Sequence, residues 1–323
     1  MRDRNTLIDA FLRNSQWDTW RRTQLAGDAS TRRYERLHSS DDTVILMDAP
    51  RGNGTATTTF AALADYLSSC GLCPPEILAH DPQAGIMIIS DLGSDDFASW
   101  LQTRPQDGDT LYQSATDVLL HLRNCVPPEN LSVMSPEVGA QMISITGTYY
   151  AGKPADDLVS EMEQALLRLA PNADTLALRD YHAENLIWRP AMSGLAQVGL
   201  LDFQDAFIAP QGYDLVSLLR DARRDVAPDL RERVIADYVA RAGLDDAFRA
   251  QLACLGVQRN LRILGVFARL ATEMQKTHYL RLIPRVWHNL QADLAHPELT
   301  ALRRVAEATL PAPQNHPLLR PAQ

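Results

Sequence analysis

The chain has 323 residues, with 31 Lys and Arg against 40 Asp and Glu for a formal net charge of −9 at pH 7, and it is 46% hydrophobic and 22% charged. Those proportions belong to a soluble, packed protein of about two domains, and they exclude a disordered, collagenous or coiled chain. They also exclude nucleic acid as the main partner, because binding a phosphate backbone draws on an excess of Lys and Arg.

From the start, Leu7, Ile8, Phe11 and Leu12 fall at helical spacing, with Thr6 and Asp9 placed as a capping box, so a short leading helix is expected over 5–13. Strand-like segments at 20–25, 32–37 and 43–47, divided by turn-forming clusters at 26–30 and 39–42, predict an antiparallel meander. A helix at 59–69 follows, then strands at 76–80 and 85–90 around a turn at 81–84. Beyond Asp91 the texture becomes helical, with 110–123, 158–169, 228–242 and 246–271 as helices. Two short strands at 185–188 and 198–201 interrupt them and bracket a loop at 189–195. Four prolines and no periodicity after Leu310 predict a flexible tail over 311–323. The change of texture places a boundary between residues 91 and 92, giving a strand-rich lobe over 1–91 and a helical lobe over 92–310.

Apolar runs such as 44–47 and 86–89 are far short of the ~20 residues that cross a bilayer. The first residues lack the apolar core of a signal peptide, and four cysteines are too few for a secreted disulfide framework. A cytoplasmic protein with reduced thiols is expected.

The stretch LRDYHAENLIW, 178–188, carries Asp180 and Asn185 just before a strand, where neither serves a core. GLLDFQDA, 199–206, puts Asp202 at the end of a second apolar strand, where its carboxylate leaves the sheet. A carboxylate to orient a hydroxyl, then an amide and a carboxylate for a divalent cation, is the set that phosphoryl transfer needs. A tight turn alone would explain Asp180 and Asn185, but not Asp202 after the next strand.

On these residues the chain resembles the aminoglycoside phosphotransferase and protein-kinase-like family over nearly its whole length. DYHAEN from Asp180 is similar to the family's D-x-H-x-x-N catalytic loop, and LDFQDAFIAPQGYDLV from Leu201 to its metal-binding segment. The resemblance implies a bilobal α+β protein-kinase-like fold, with an N-lobe of about five antiparallel strands that binds nucleotide and a mostly helical C-lobe that holds the catalytic loop and acceptor site. It implies ATP and Mg²⁺ as cofactors, Asp180 as catalytic base, Asn185 and Asp202 as metal ligands, and Asp214 as a structural brace of the loop. It assigns Ser90 and Leu92 to the adenine, and the turn containing Gly27, Ala29, Ser30 and Thr31 to the phosphates, where small residues let backbone N–H groups approach. His182 and Asp205 are the candidates for acceptor recognition. Four further segments, GDASTRRYERL from Gly27, MDAP from Met47, YDLVSLLRD from Tyr213 and QRNLRILGVFARL from Gln258, resemble the anomeric sugar kinases of cell-wall recycling within that family. Those enzymes act on N-acetylmuramate and N-acetylglucosamine.

There are departures. Met47 stands where the third-strand lysine is expected, so Arg32 or Arg33 is left to supply the cation, and alternation allows only one of them into the cleft. Leu178 replaces the histidine expected two residues before the aspartate. The missing lysine keeps a nucleotide-binding pseudokinase open as a rival, and an aminoglycoside or other small hydroxyl compound is the alternative acceptor. Gly52-Asn53-Gly54 is read as a loop rather than a dinucleotide fingerprint, and Cys70 and Cys73 as helix-end packing rather than a zinc pair. The cluster 220–225 is read as a solvated helix face with local ion pairs, from which Arg220 could reach a substrate carboxylate.

Overall fold

Val44, Leu46, Ile86 and Ile88 alternate with Ile45, Met47, Met87 and Ile89 along two paired strands, and this two-residue period supplies apolar side chains to both faces of a sheet. The computed structural model describes residues 4–25, 32–50 and 57–319, so the Gly52-Asn53-Gly54 loop lies outside the described residues. The chain divides into two compact units, one of residues 1–105 with 184–205 and a second of residues 106–183 with 206–323.

In the first unit, β1 (Arg21–Gln24), β2 (Arg33–His38), β3 (Thr43–Asp48), β4 (Ile77–Asp81) and β5 (Ile86–Ser90) form an antiparallel sheet in the order β1-β2-β3-β5-β4. One face packs Leu37, Val44, Leu46, Ile86 and Ile88 against Ile8 and Leu12 of helix α1 (Arg4–Leu12). The register pairs Tyr34 with Met47 and Arg36 with Ile45, which puts these four on the opposite face. Helix α2 (Thr57–Ser69) follows β3 in the chain.

The boundary expected at residues 91 and 92 falls inside this unit. Helix α3 (Phe97–Thr103) belongs to it, as does a hairpin of β7 (Leu186–Trp188) and β8 (Val198–Leu200). Trp188 N–H donates to Asp95 O at 2.7 Å and Leu200 N–H to Cys73 O at 2.9 Å, tying the hairpin down on both sides. The hairpin packs closely at Gly199, where a Cβ would lie 2.9 Å from Leu92 Cδ1 and 3.1 Å from Ile187 Cβ.

The second unit is mostly helical. It comprises α4 (Gly108–Leu122), α5 (Pro136–Gln141), α6 (Ser144–Thr146) running into a π-helical turn at Gly147–Ala151, and α7 (Asp156–Leu169). Strands β6 (Thr175–Ala177) and β9 (Phe207–Ala209) pair antiparallel, and α8 (Tyr213–Leu219), α9 (Pro228–Ala242), α10 (Ala247–Thr272), α11 (Ile283–Leu294) and α12 (Thr300–Thr309) complete it. Seventeen of the 26 residues of α10 are buried, which makes it a central helix rather than an amphipathic surface one. Gly265 lets it approach α6, because a Cβ would sit 2.6 Å from Thr146 N. Among the described residues no helix is long and apolar enough to cross a membrane, and the four cysteines are free.

The end of the chain corrects the expectation of a flexible tail as far as Leu319. Residues 313–315 and 317–319 form short helical turns, and His316 is only 3% exposed. Its ring stacks on Tyr150 at 4.3 Å, its Nε2 lies 2.7 Å from Tyr150 O, and Tyr150 OH donates to Pro311 O at 2.9 Å. Proline ends regular helix but does not prevent docking, and one aromatic anchor with a buried hydrogen bond holds the segment. His316→Ala should lower the unfolding free energy by about 1–3 kcal/mol, measured by urea denaturation; an unchanged midpoint would show that the docking adds nothing.

Candidate active site

In the first unit a pocket of about 310 Å³ opens on the sheet face that carries Tyr34, Arg36 and Ile45, walled by Phe60 of α2 and by Leu201 after β8. Ser90, Asp91 and Leu92 form its edge. The volume and the apolar wall suit an aromatic base. Ser90 N–H is engaged by Glu76 O at 2.8 Å, so that group is not available to a base. Arg36 fixes the edge from across the sheet: it is ion-paired with Asp91, its Nη2 donates to Asp91 Oδ1 at 3.0 Å, and the same Oδ1 accepts from Gly93 N at 3.0 Å.

Asn185 and Asp202 both line this pocket. Asp202 has a left-handed backbone, φ 56°, which turns its carboxylate out of the strand while Phe203 beside it stacks on Phe60 at 4.8 Å. The side chain of Asp202 is 46% exposed and within 3.6 Å of Arg32 Nη1. Buried Gln204 holds it by donating Nε2 to Asp202 Oδ1 at 2.8 Å, and the same nitrogen lies 3.5 Å from exposed Asp205. Arg32 therefore stands by the carboxylate, with Tyr34 hydrogen-bonded to it, whereas Arg33 is exposed one position further on. Gly27, Ala29, Ser30 and Thr31 lie outside the described residues.

In the second unit Asp180 is half-buried in the segment after β6. Arg179 before it has φ 75°, and Asp214 of α8 caps the bend by accepting from Leu178 N at 2.5 Å and Arg179 N at 2.9 Å. Ser217, one turn along α8, receives Arg259 Nη2 at 2.6 Å and donates to Arg179 O at 3.3 Å. Burial pushes the Asp214 carboxyl up to about 7, against the pull of the two backbone N–H groups and Arg259. Arg262 of α10 feels Arg179, Asp180 and Arg259, so the surroundings of Asp180 are rich in guanidinium groups.

Two expectations change. His182 is buried, its Nε2 lies 3.3 Å from Arg223 Nη1, and burial with Arg223 and Arg259 holds its pKa well below the usual imidazole value. The ring is thus buried rather than open to solvent. The 220–225 cluster is not a solvated face: Asp221 is 2% exposed and accepts from Arg223 N at 2.8 Å, and Arg220 is paired with Asp293. Gln204 and the Arg36–Asp91 pair were missed; the only signal for Gln204 was its place between two carboxylates in LDFQDA.

The profile of the phosphotransferase enzyme family matches residues 21–250. An N-acetylmuramate/N-acetylglucosamine kinase of Caulobacter vibrioides is 35% identical to this chain, over 93% of it and 95% of the relative. Among solved structures, a choline/ethanolamine kinase family protein from Mesorhizobium loti superposes with a TM-score of 0.65 at 16% identity, covering 95% of this chain and 100% of that one. A spectinomycin phosphotransferase in complex with ADP and spectinomycin gives 0.60 at 13% identity, covering 94% and 98%. The chain thus has the kinase-like fold expected for it.

The raised pKa of Asp214 has a definite sign. The unfolded carboxyl loses its proton near pH 4 and the folded one near 7, so the folded state binds more protons between them and stability falls as pH rises through that window. Asp214→Asn leaves one backbone N–H without its acceptor, a loss of about 1–3 kcal/mol. The gap in unfolding free energy between wild type and this variant should narrow from pH 4 to 7; a constant or widening gap in urea titrations would refute the assignment.

Proposed function

The chain belongs to the phosphotransferase enzyme family and transfers phosphate to a hydroxyl acceptor, and from that premise we propose that it is an ATP-dependent sugar kinase acting on the anomeric hydroxyl of N-acetylmuramate or N-acetylglucosamine. The observation that carries this reading is the 35% identity to a kinase of those sugars over nearly the full length of both chains.

The chemistry of the residues supports it. Asn185 and Asp202 offer an amide oxygen and a held carboxylate, hard donors that suit Mg²⁺, an ion that keeps waters and shares phosphate oxygens. When bound, the ion would neutralise charge on the phosphates. The pocket edged by Ser90 to Leu92 takes the adenine, and Arg32 supplies the cation that Met47 does not. Asp180, on a loop held in place by Asp214, would take the proton of the acceptor hydroxyl as that hydroxyl's oxygen bonds to the γ-phosphorus and the bond from phosphorus to the bridging oxygen breaks, releasing ADP. Asp205 remains the candidate for a sugar hydroxyl, being exposed beside the metal ligands. The guanidinium groups around Asp180 disfavour a polycationic aminoglycoside and suit a neutral or carboxylate-bearing sugar.

³¹P NMR with Mg·ATP and N-acetylmuramate, N-acetylglucosamine, glucose and kanamycin tests the acceptor. A sugar 1-phosphate doublet is expected, and phosphorylated kanamycin alone would transfer the protein to the antibiotic-modifying branch. Asp180→Asn should lower turnover by roughly 10²–10⁴-fold with nucleotide affinity kept; equal turnover would remove Asp180 as base. Arg32→Ala should weaken Mg·ADP binding by about 10-fold or more, the loss of a charge-assisted hydrogen bond, whereas calorimetry showing less than a twofold change would place the cation elsewhere.

A further inference from the structure

A second cavity, of about 390 Å³, lies in the second unit and takes no part in the chemistry above. Its floor is aliphatic, from Val216, Leu219 and Leu252, and three arginines line it: Arg220, Arg231 and Arg249. Two of them are neutralised. Arg220 Nε donates to Asp293 Oδ1 at 2.8 Å, and Arg249 forms a fork on Glu232 at 2.6 and 3.1 Å. Among the described residues, no hydrogen bond or ion pair holds the guanidinium of Arg231.

Arg231 is half-buried, and burial together with the Arg220 charge pushes its pKa below the usual arginine value. It also sits in the first turn of α9, the end where the helix dipole is positive, and N-cap Ala227 provides no side-chain acceptor. Asp229 in the same turn is directed to Arg233 at 3.8 Å. Asp293 and Glu232 pull the other way on Arg231, but both are already engaged, by Arg220 and Arg249, so three guanidinium groups face two carboxylates in a cavity large enough for a molecule of sugar size.

We infer that this cavity binds a small organic anion, a phosphate or carboxylate on a compact apolar or sugar-like body, with Arg231 as its charge partner. It is distinct from the acceptor region because α8 separates the two. Asp214, Ser217 and Asp221, at positions i, i+3 and i+7, face the segment 178–183, while Val216, Leu219 and Arg220 face the cavity. A ligand here bears on the helix that braces the catalytic loop.

The test is a binding measurement and does not depend on which acceptor the enzyme uses. Phenyl phosphate and 3-phenylpropionate are titrated into the intact protein by calorimetry in the presence of excess Mg·ADP. Saturable 1:1 binding of at least one probe is expected; the phosphate probe alone would identify phosphate as the head group, and both together a general anion. Arg231→Met should weaken it by 10-fold or more, Arg231→Lys should retain most of it, and Ala253→Leu, which fills the cavity, should weaken it without removing charge. No saturable binding of either probe, or wild-type affinity in both Arg231→Met and Ala253→Leu, would overturn the assignment.

Discussion

Asp214 carries its carboxyl in a helix whose seven residues are all buried, and the segment that holds Asp180 depends on it. Taking a carboxyl out of water is unfavourable, and what offsets it here is the pair of backbone N–H groups at Leu178 and Arg179 together with the charge of Arg259. Those two donors would otherwise be orphaned, since the left-handed backbone of Arg179 breaks any regular ladder. Ser217 and Arg259 extend the same clamp to the carbonyl of Arg179. The position of Asp180 is therefore set by a polar network whose members are individually expensive to bury and satisfied only together.

The first unit solves a different problem. In protein kinases a third-strand lysine paired with a helix glutamate grips the phosphates. Here Met47 occupies that strand position, α2 contains no glutamate, and its Phe60 stacks on Phe203 next to Asp202. An apolar contact in place of a buried ion pair avoids the desolvation that such a pair incurs. The cost is a lost cation, and Arg32, on the neighbouring strand's approach, is a charge that stands 3.6 Å from Asp202, the proposed metal ligand. Because Arg keeps its charge under burial and donates in a planar fork, it serves a phosphate at least as well as lysine.

The strands and the long helices were legible because each carries its own period. The five-stranded sheet and the helices 228–242 and 247–272 lie within a residue or two of where that period puts them. Asp180, Asn185 and Asp202 stand out in the sequence for another reason, as polar residues at fixed offsets from apolar strands, and Asn185 and Asp202 line one pocket. What could not be read is what depends on partners far along the chain. The choice between Arg32 and Arg33 needed the β2 register, and the Arg36–Asp91 clamp spans 55 residues. Strands β6 and β9 are three residues each and exist only because they pair with one another. His182 came from the D-x-H-x-x-N pattern, which says nothing of its neighbour Arg223, 3.3 Å away and 41 positions along the chain.

The docked tail and the reading of the 220–225 cluster failed for one shared reason. Composition describes how a segment behaves alone, and both segments were read alone. His316 is polar, and prolines flank it, but Tyr150 offers a ring face and a carbonyl at once. Arg220 and Asp221 carry opposite charges at adjacent positions, which in an isolated helix means solvent. Just past the end of α8, a helix buried all round, they point to different layers, Arg220 to Asp293 and Asp221 to the loop beside His182. Opposite charges at the end of a short buried helix are thus a sign of two buried interfaces, and α8 uses one of them to hold the segment that carries Asp180 and the other to floor a cavity.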